Sequence, residues 1–171
     1  MELNDIYDEN RCLTGRVHRR NTRWASGEYG LVVCVWVYDG RGHLLMTRRA
    51  MEKSYPHTWE NSGGAAIAGE TSLEAIQREL FEETGIRAGK DEFELLSTTR
   101  DGHFFYDHYC LKADVPLAQI VLQPGETDDV RWVDFDTVHG MIARKEICAV
   151  IAQQFCVLES QLRKRQSAQE E

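Results

Sequence analysis

Residues 64–86 read GAAIAGETSLEAIQRELFEETGI, and this stretch decides the fold. Thr71 stands where an N-cap belongs, and Glu74 three residues on completes a capping box. Leu73, Ile76, Leu80 and Phe81 recur at helical spacing, and Gly85 sits where a helix ends in a left-handed residue. The pattern predicts a helix over 72–84. Glu82 and Glu83 stand three and four residues from Glu79, which makes the three carboxylates neighbours on the helix surface. They repel one another unless something positive sits among them, and hard oxygen ligands select Mg²⁺, Mn²⁺ or Ca²⁺ over zinc. Arg78 adjoins the cluster, and Glu70 on the preceding loop is placed to orient Arg78 or a catalytic water. An acidic helix face is ordinarily just solvated surface. Gly63 and Gly64, where backbone can approach a ligand closely, favour a metal platform instead.

Outward from the helix, residues 31–38 (LVVCVWVY) are β-branched and aromatic and predict a strand. Asp39-Gly40-Arg41-Gly42 then turns the chain into a second strand over 43–48, so a hairpin is expected. Residues 49–71 lack periodicity, contain Pro56 and three glycines, and read as loop with a short strand inside. Residues 3–7 and 13–18 predict a small N-terminal hairpin, followed by a polar, basic loop over 19–28. Beyond the helix, strands are expected over 93–99 and 104–113, joined at Arg100-Asp101-Gly102. A loop over 116–128 precedes a strand over 130–133. Residues 137–165 read as one helix whose apolar stripe is Ile147, Val150, Ile151, Phe155, Leu158 and Leu162, a core or dimer face. One domain is expected over 1–165, with 166–171 as a frayed tail.

A chain of 171 residues, 42 % hydrophobic, is long enough for one buried core and too short for two. Its formal net charge of −8 argues against a nucleic-acid partner or an anionic membrane surface, which need clustered Lys and Arg. A small molecule fits better. The five cysteines are odd in number and form no C-x-x-C pair, which excludes a disulfide framework and a zinc knuckle. Cys34 and Cys110 are expected buried in strands. The acidic N-terminus carries no apolar leader and no run long enough to span a membrane, so a cytoplasmic location is expected.

The run over 64–86 resembles the Nudix box: Gly, five residues, Glu, seven residues, Arg-Glu, an aliphatic, any residue, Glu-Glu, any residue, Gly, an aliphatic. Every fixed position is met, and such a match arises by chance about once in 10⁸ windows. The resemblance implies an α/β/α sandwich around a mixed sheet, here with an N-terminal hairpin and a C-terminal helix. It also implies hydrolysis of a diphosphate linkage in a nucleoside diphosphate-X type small molecule, dependent on Mg²⁺ with Mn²⁺ able to substitute. In that reading Glu79, Glu82 and Glu83 hold the metal with the Gly64 carbonyl, and Glu70 and Arg78 orient them. The metal neutralises the diphosphate and lowers the pKa of a bound water, whose proton a carboxylate takes. Similar enzymes carry a Glu shortly before the strand that follows the 116–128 loop, which makes Glu126 the candidate outside the box. Arg48 is a candidate phosphate contact, and Trp59 a candidate wall of the substrate cleft. His103 and His108 fall on opposite faces of a strand and so form no metal set with Asp107.

Asp5-Ile6-Tyr7-Asp8, Gly15-Arg16-Val17-His18-Arg19 and Trp59-Glu60-Asn61-Ser62 resemble the branch that includes isopentenyl diphosphate isomerase. That alternative reaction needs a cysteine acid soon after the last segment and a nearby histidine. Gly63, Gly64, Ala65 and Ala66 stand there instead. A catalytically silent ligand-binding module is the other alternative, and the intact Glu79, Glu82, Glu83 and Arg78 argue against it.

Overall fold

The computed structural model describes residues 2–167. A two-stranded antiparallel hairpin, β1 (Leu3–Tyr7) and β2 (Leu13–Arg19), opens the chain as the sequence predicts. The main sheet is mixed. Its central strand β3 (Gly30–Tyr38) is followed by β4 (His43–Arg49), the short β5 (Trp59–Glu60) and β6 (Ser62–Ala65). Helix α1 (Ser72–Thr84) leads to β7 (Glu94–Asp101), β8 (Phe104–Lys112) and β9 (Thr127–Asp134), and α2 (Phe135–Ala143) and α3 (Ala149–Ser167) close the order.

β3 runs parallel to β8 from Gly30↔Phe104 to Tyr38↔Lys112, and β8 pairs antiparallel with β7. The hairpin expected from β3 and β4 holds only at its turn, where Tyr38 meets Leu44. Further along, β6 takes that edge of β3 in the register Val32↔Ala65 to Val35↔Ser62, and β4 pairs along its length with β9. Helices cover both faces, which is why β3 reads as an unbroken apolar run. Leu31, Val33, Val35 and Val37 pack with Ala75, Ile76 and Leu80 of α1. Trp36 and Tyr38 pack on the other side with Phe155, Leu158 and Leu162 of α3.

Helix α1 has the bounds that its caps predict. Thr71 and Glu74 form the capping box, and Gly85 closes the helix at φ 73°. The C-terminal region corrects the expectation of one helix. Lys145 turns left-handed at φ 59°, and Ile147 bridges to Trp59 of β5. Ile147 therefore serves the sheet, Val150 is exposed, and the buried stripe of α3 reduces to Phe155, Leu158 and Leu162. The helix also runs two residues past the expected end. Gln166 is buried and its Nε2 donates to the His43 carbonyl at 3.2 Å, which holds the last turn down. The remainder of the expected frayed tail, 168–171, lies outside the described residues. Among the described residues no helix is long and apolar enough to cross a membrane.

Candidate metal and diphosphate site

Helix α1 is fixed at its base and along its apolar side, and this aims its glutamates. Ser72, the first helical residue, donates its hydroxyl to Asp107 Oδ2 at 2.5 Å and lies 2.8 Å from the Tyr109 hydroxyl. Asp107 also accepts from Thr98 at 2.7 Å and forms an ion pair with Arg11 from the N-terminal hairpin. With the helix held there, Arg78, Glu79, Glu82 and Glu83 fall beside β6.

The Arg78 guanidinium organises this cluster. It donates from Nε and Nη2 to the two oxygens of Glu70 at 2.7 and 3.0 Å. Its Nη1 reaches Glu79 at 2.8 Å and Glu82 at 3.0 Å, and Nη2 also reaches the Ala65 carbonyl at 3.2 Å. Burial would raise the Glu70 carboxyl, but the bonds from Arg78 and from the Ile67 amide outweigh it and hold Glu70 below its ordinary range. Glu79 goes the other way: burial pushes it up, and the charge of Arg78 opposes this without cancelling it. Glu83 is buried and pushed well up, first by burial and then by the charges of Glu60 and Glu79. It accepts a hydrogen bond from the Gly63 amide at 3.3 Å. A Cβ on Gly64 would come within 2.5 Å of the Glu79 carboxyl carbon, so only glycine lets that carboxylate lie on the backbone.

A cleft of about 320 Å³ gathers Gly64, Arg78, Glu79, Glu82, Glu83 and Glu126. Glu126 stands on the far wall, where it pairs with Lys53. Glu70 acts at one remove, through Arg78. Two sequence candidates lie elsewhere. Arg48 is not on the cleft; it donates to Asp128 at 2.6 Å and its guanidinium lies 5.8 Å from the Trp59 ring. Trp59 is 6 % exposed and packs in the core under α3, with Arg131 4.7 Å from its ring. The bridge to Ile147 accompanies this placement, on the side of the sheet that α3 covers.

Sequence reading missed Glu60 and Lys53. Glu60 is a further, half-buried carboxylate whose charge acts on Glu83, and it is paired with Arg49 at 2.7 and 2.9 Å. Alternation along a strand would have set Glu60 opposite the buried Trp59, but a two-residue strand gives no readable period. Lys53 sits in a loop shaped by left-handed Tyr55 and His57, and nothing in the sequence points it at Glu126.

The buried Glu83 and half-buried Glu79, both pushed up, with Glu82 on the same helix face and a bare backbone at Gly64, form a hard oxygen donor set, and these residues fit a divalent cation. As they stand, no three acidic, His or Cys side chains among the described residues converge as a ligand shell. The Arg78 guanidinium holds Glu79 and Glu82.

Residues 28–151 match the NUDIX domain family. The chain is 38 % identical over 149 residues to an uncharacterized Nudix hydrolase of Listeria monocytogenes, covering 82 % of this chain and 85 % of that protein. It is 27 % identical over 138 residues to an isopentenyl-diphosphate Delta-isomerase of Escherichia coli, covering 76 % of each. The crystal structure of DR0079 from Deinococcus radiodurans superposes with a TM-score of 0.75 over 90 % of this chain and 96 % of that one. At 22 % identity it shows the shared fold.

Proposed function

The chain belongs to the Nudix family, and from that premise we propose that it hydrolyses the diphosphate linkage of a nucleoside diphosphate-X type small molecule, using Mg²⁺ or Mn²⁺. The observation that carries the reading is the gathering of Glu79, Glu82 and Glu83 on the bare Gly64 backbone, in one cleft with Glu126. Glu79, Glu82, Glu83 and the Gly64 carbonyl would hold the metal, which when bound neutralises the diphosphate and makes a coordinated water more acidic. Glu126 is the base proposed to take that water's proton, and Lys53 holds its carboxylate at the cleft wall until then. Arg78, locked by both oxygens of Glu70, keeps Glu79 and Glu82 aligned.

The local geometry disfavours the isomerase alternative, although isomerases are among the relatives. A side chain at position 63 would collide with the Val33 carbonyl oxygen and approach Cys34 Cα to 2.8 Å, so no cysteine fits there. The Cys34 thiol beside it is pushed up to about 12, chiefly by burial.

A Mg²⁺-dependent screen over nucleoside diphosphate sugars, dinucleotides and isoprenoid diphosphates, run beside Glu82→Gln and Glu83→Gln, tests the reading. Wild type is expected to release a mononucleotide or phosphate from one class, and both variants to lose at least about 10²-fold. Equal, slow release by all three proteins from every compound sinks the proposal. Formation of the allylic isomer from isopentenyl diphosphate would replace it with the isomerase.

A further inference from the structure

Behind β6, on the side facing α3, lies a second cavity of about 260 Å³. It shares Gly63, Gly64 and Ala65 with the catalytic cleft, so the two spaces meet at one short strand. Cys34, Asn61, Tyr106, Val150, Ile151 and Gln154 line it. Asn61 is 2 % exposed, yet among the described residues neither its Nδ2 nor its Oδ1 has a partner at hydrogen-bond geometry, the nearby Cys34 thiol being the one group it acts on. Buried side-chain amides are nearly always paired, and one that spends neither donor nor acceptor needs an explanation. The Cys34 thiol lies close enough for the amide to act on its titration, but sulfur is a weak partner and leaves the amide's capacity unspent.

We propose that Asn61 determines specificity: its amide holds the group attached to the diphosphate when that group presents an adjacent donor and acceptor, as a nucleobase edge or a carboxamide does. This inference rests on the diphosphate-hydrolase reading. A side-chain amide carries one donor group and one acceptor side by side, which matches such an edge two for two. The walls suit a planar group, with the Tyr106 ring from β8 and Val150 and Ile151 from α3 offering apolar surface. Glu60 and Arg49, which also line the cavity, are paired with one another. In this proposal the diphosphate lies at Gly64 and the attached group behind β6, the two spaces sharing Gly63, Gly64 and Ala65.

Kinetics on ADP-ribose, which offers an adenine edge, and on NADH, which adds a carboxamide, test this with wild type, Asn61→Leu and Asn61→Asp. Inhibition by inorganic pyrophosphate reports the diphosphate site alone. Asn61→Leu keeps the volume and is expected to raise KM at least about tenfold, the size of one net hydrogen bond, well beyond any change in pyrophosphate inhibition. Asn61→Asp, which exchanges the donor for an acceptor, should fall at least as far. Loss on NADH alone assigns the carboxamide, and loss on both assigns the adenine. The ligand-free Asn61→Leu protein should melt no lower than wild type, because it gives up an unpaired amide.

Equal shifts in KM and in pyrophosphate inhibition overturn the inference, as does a melting temperature lowered by several degrees, which would make the amide structural. A wild type that cleaves only diphosphates lacking such an edge overturns it while leaving the hydrolase reading intact. A wild type that cleaves no diphosphate removes both.

Discussion

Arg78 faces Glu70 across the start of α1 in a two-point ion pair, with both carboxylate oxygens engaged at 2.7 and 3.0 Å while the rest of the guanidinium reaches Glu79 and Glu82. One planar group thus fixes two carboxylates of the proposed metal set against a third that takes no part in it. A lysine has the charge but not the fork. Arg78→Lys is therefore expected to lower kcat about 10- to 100-fold and to raise the Mg²⁺ concentration needed for half-activation, the usual cost of disturbing groups behind metal ligands. Glu70→Gln should move both quantities the same way by less. Magnesium titrations of activity check this, and a lysine variant that activates at the wild-type concentration and rate would refute the role.

Gly63 and Gly64 are adjacent and both crowded, yet they should fail differently. A Cβ at 64 meets the Glu79 carboxyl group, the far end of a flexible side chain, which can swing away. A Cβ at 63 meets the Val33 carbonyl and the Cys34 backbone, which can yield only if β6 parts from β3. Gly64→Ala is expected to melt close to wild type but to lose activity about tenfold or more through the displaced Glu79. Gly63→Ala should lose about 1–3 kcal/mol of stability as an overpacked site. Thermal melts beside kinetics separate the two, and equal melting temperatures would show that β6 is softer than its pairing implies.

These contrasts mark what the sequence could and could not reveal. Helix α1 was legible because its signals are local: Thr71 and Glu74 at one end, Gly85 at the other and an apolar stripe between them. β3 was legible because burial on both faces removes polar residues from it. The break before α3 was hidden, since Ile147 keeps helical spacing with Ile151 and the left-handed turn falls on Lys145 rather than on a glycine. At the site, the cluster on one helix was readable from offsets alone. Trp59 lies off the cleft because proximity in sequence to Gly64 does not fix the face of the sheet, and Lys53 reaches the cleft only through its long-range pairing with Glu126.

Glu83 is set in a region that burial and two neighbouring carboxylates make hostile to its charge. Glu83→Gln keeps the shape and removes the charge. In EDTA this variant should melt above wild type, by roughly 2–4 °C for each kcal/mol of relieved desolvation. With Mg²⁺ present it should gain less thermal protection than wild type and lose most activity. Melting curves in EDTA and in Mg²⁺ test the pair of effects together. A variant that melts lower than wild type in both would mean that Glu83 serves the fold and not a cation.

Asp107 ties the N-terminal hairpin to the base of α1, and its titration should govern how the protein meets acid. Burial would raise its pKa, but the bonds from Arg11, Ser72 and Thr98 prevail and hold it below the ordinary carboxylate range. A depressed folded pKa means that the unfolded chain binds the proton more readily. The stability from Asp107 is therefore fully present above the unfolded value of about 3.9, and is lost as pH falls from there through the folded pKa. Asp107→Asn leaves Arg11 without its charge partner, with the Thr98 hydroxyl at 3.2 Å remaining. It should cost about 2 kcal/mol at neutral pH, below the ~3–5 kcal/mol of a fully buried broken pair, because the Arg11 side chain is 32 % exposed. The variant's melting temperature should then fall less steeply than wild type's below pH 4, where wild type is losing what the variant already lacks. Parallel curves through that range would place the acid sensitivity on other carboxylates, and with it the anchoring of α1 on its apolar packing alone.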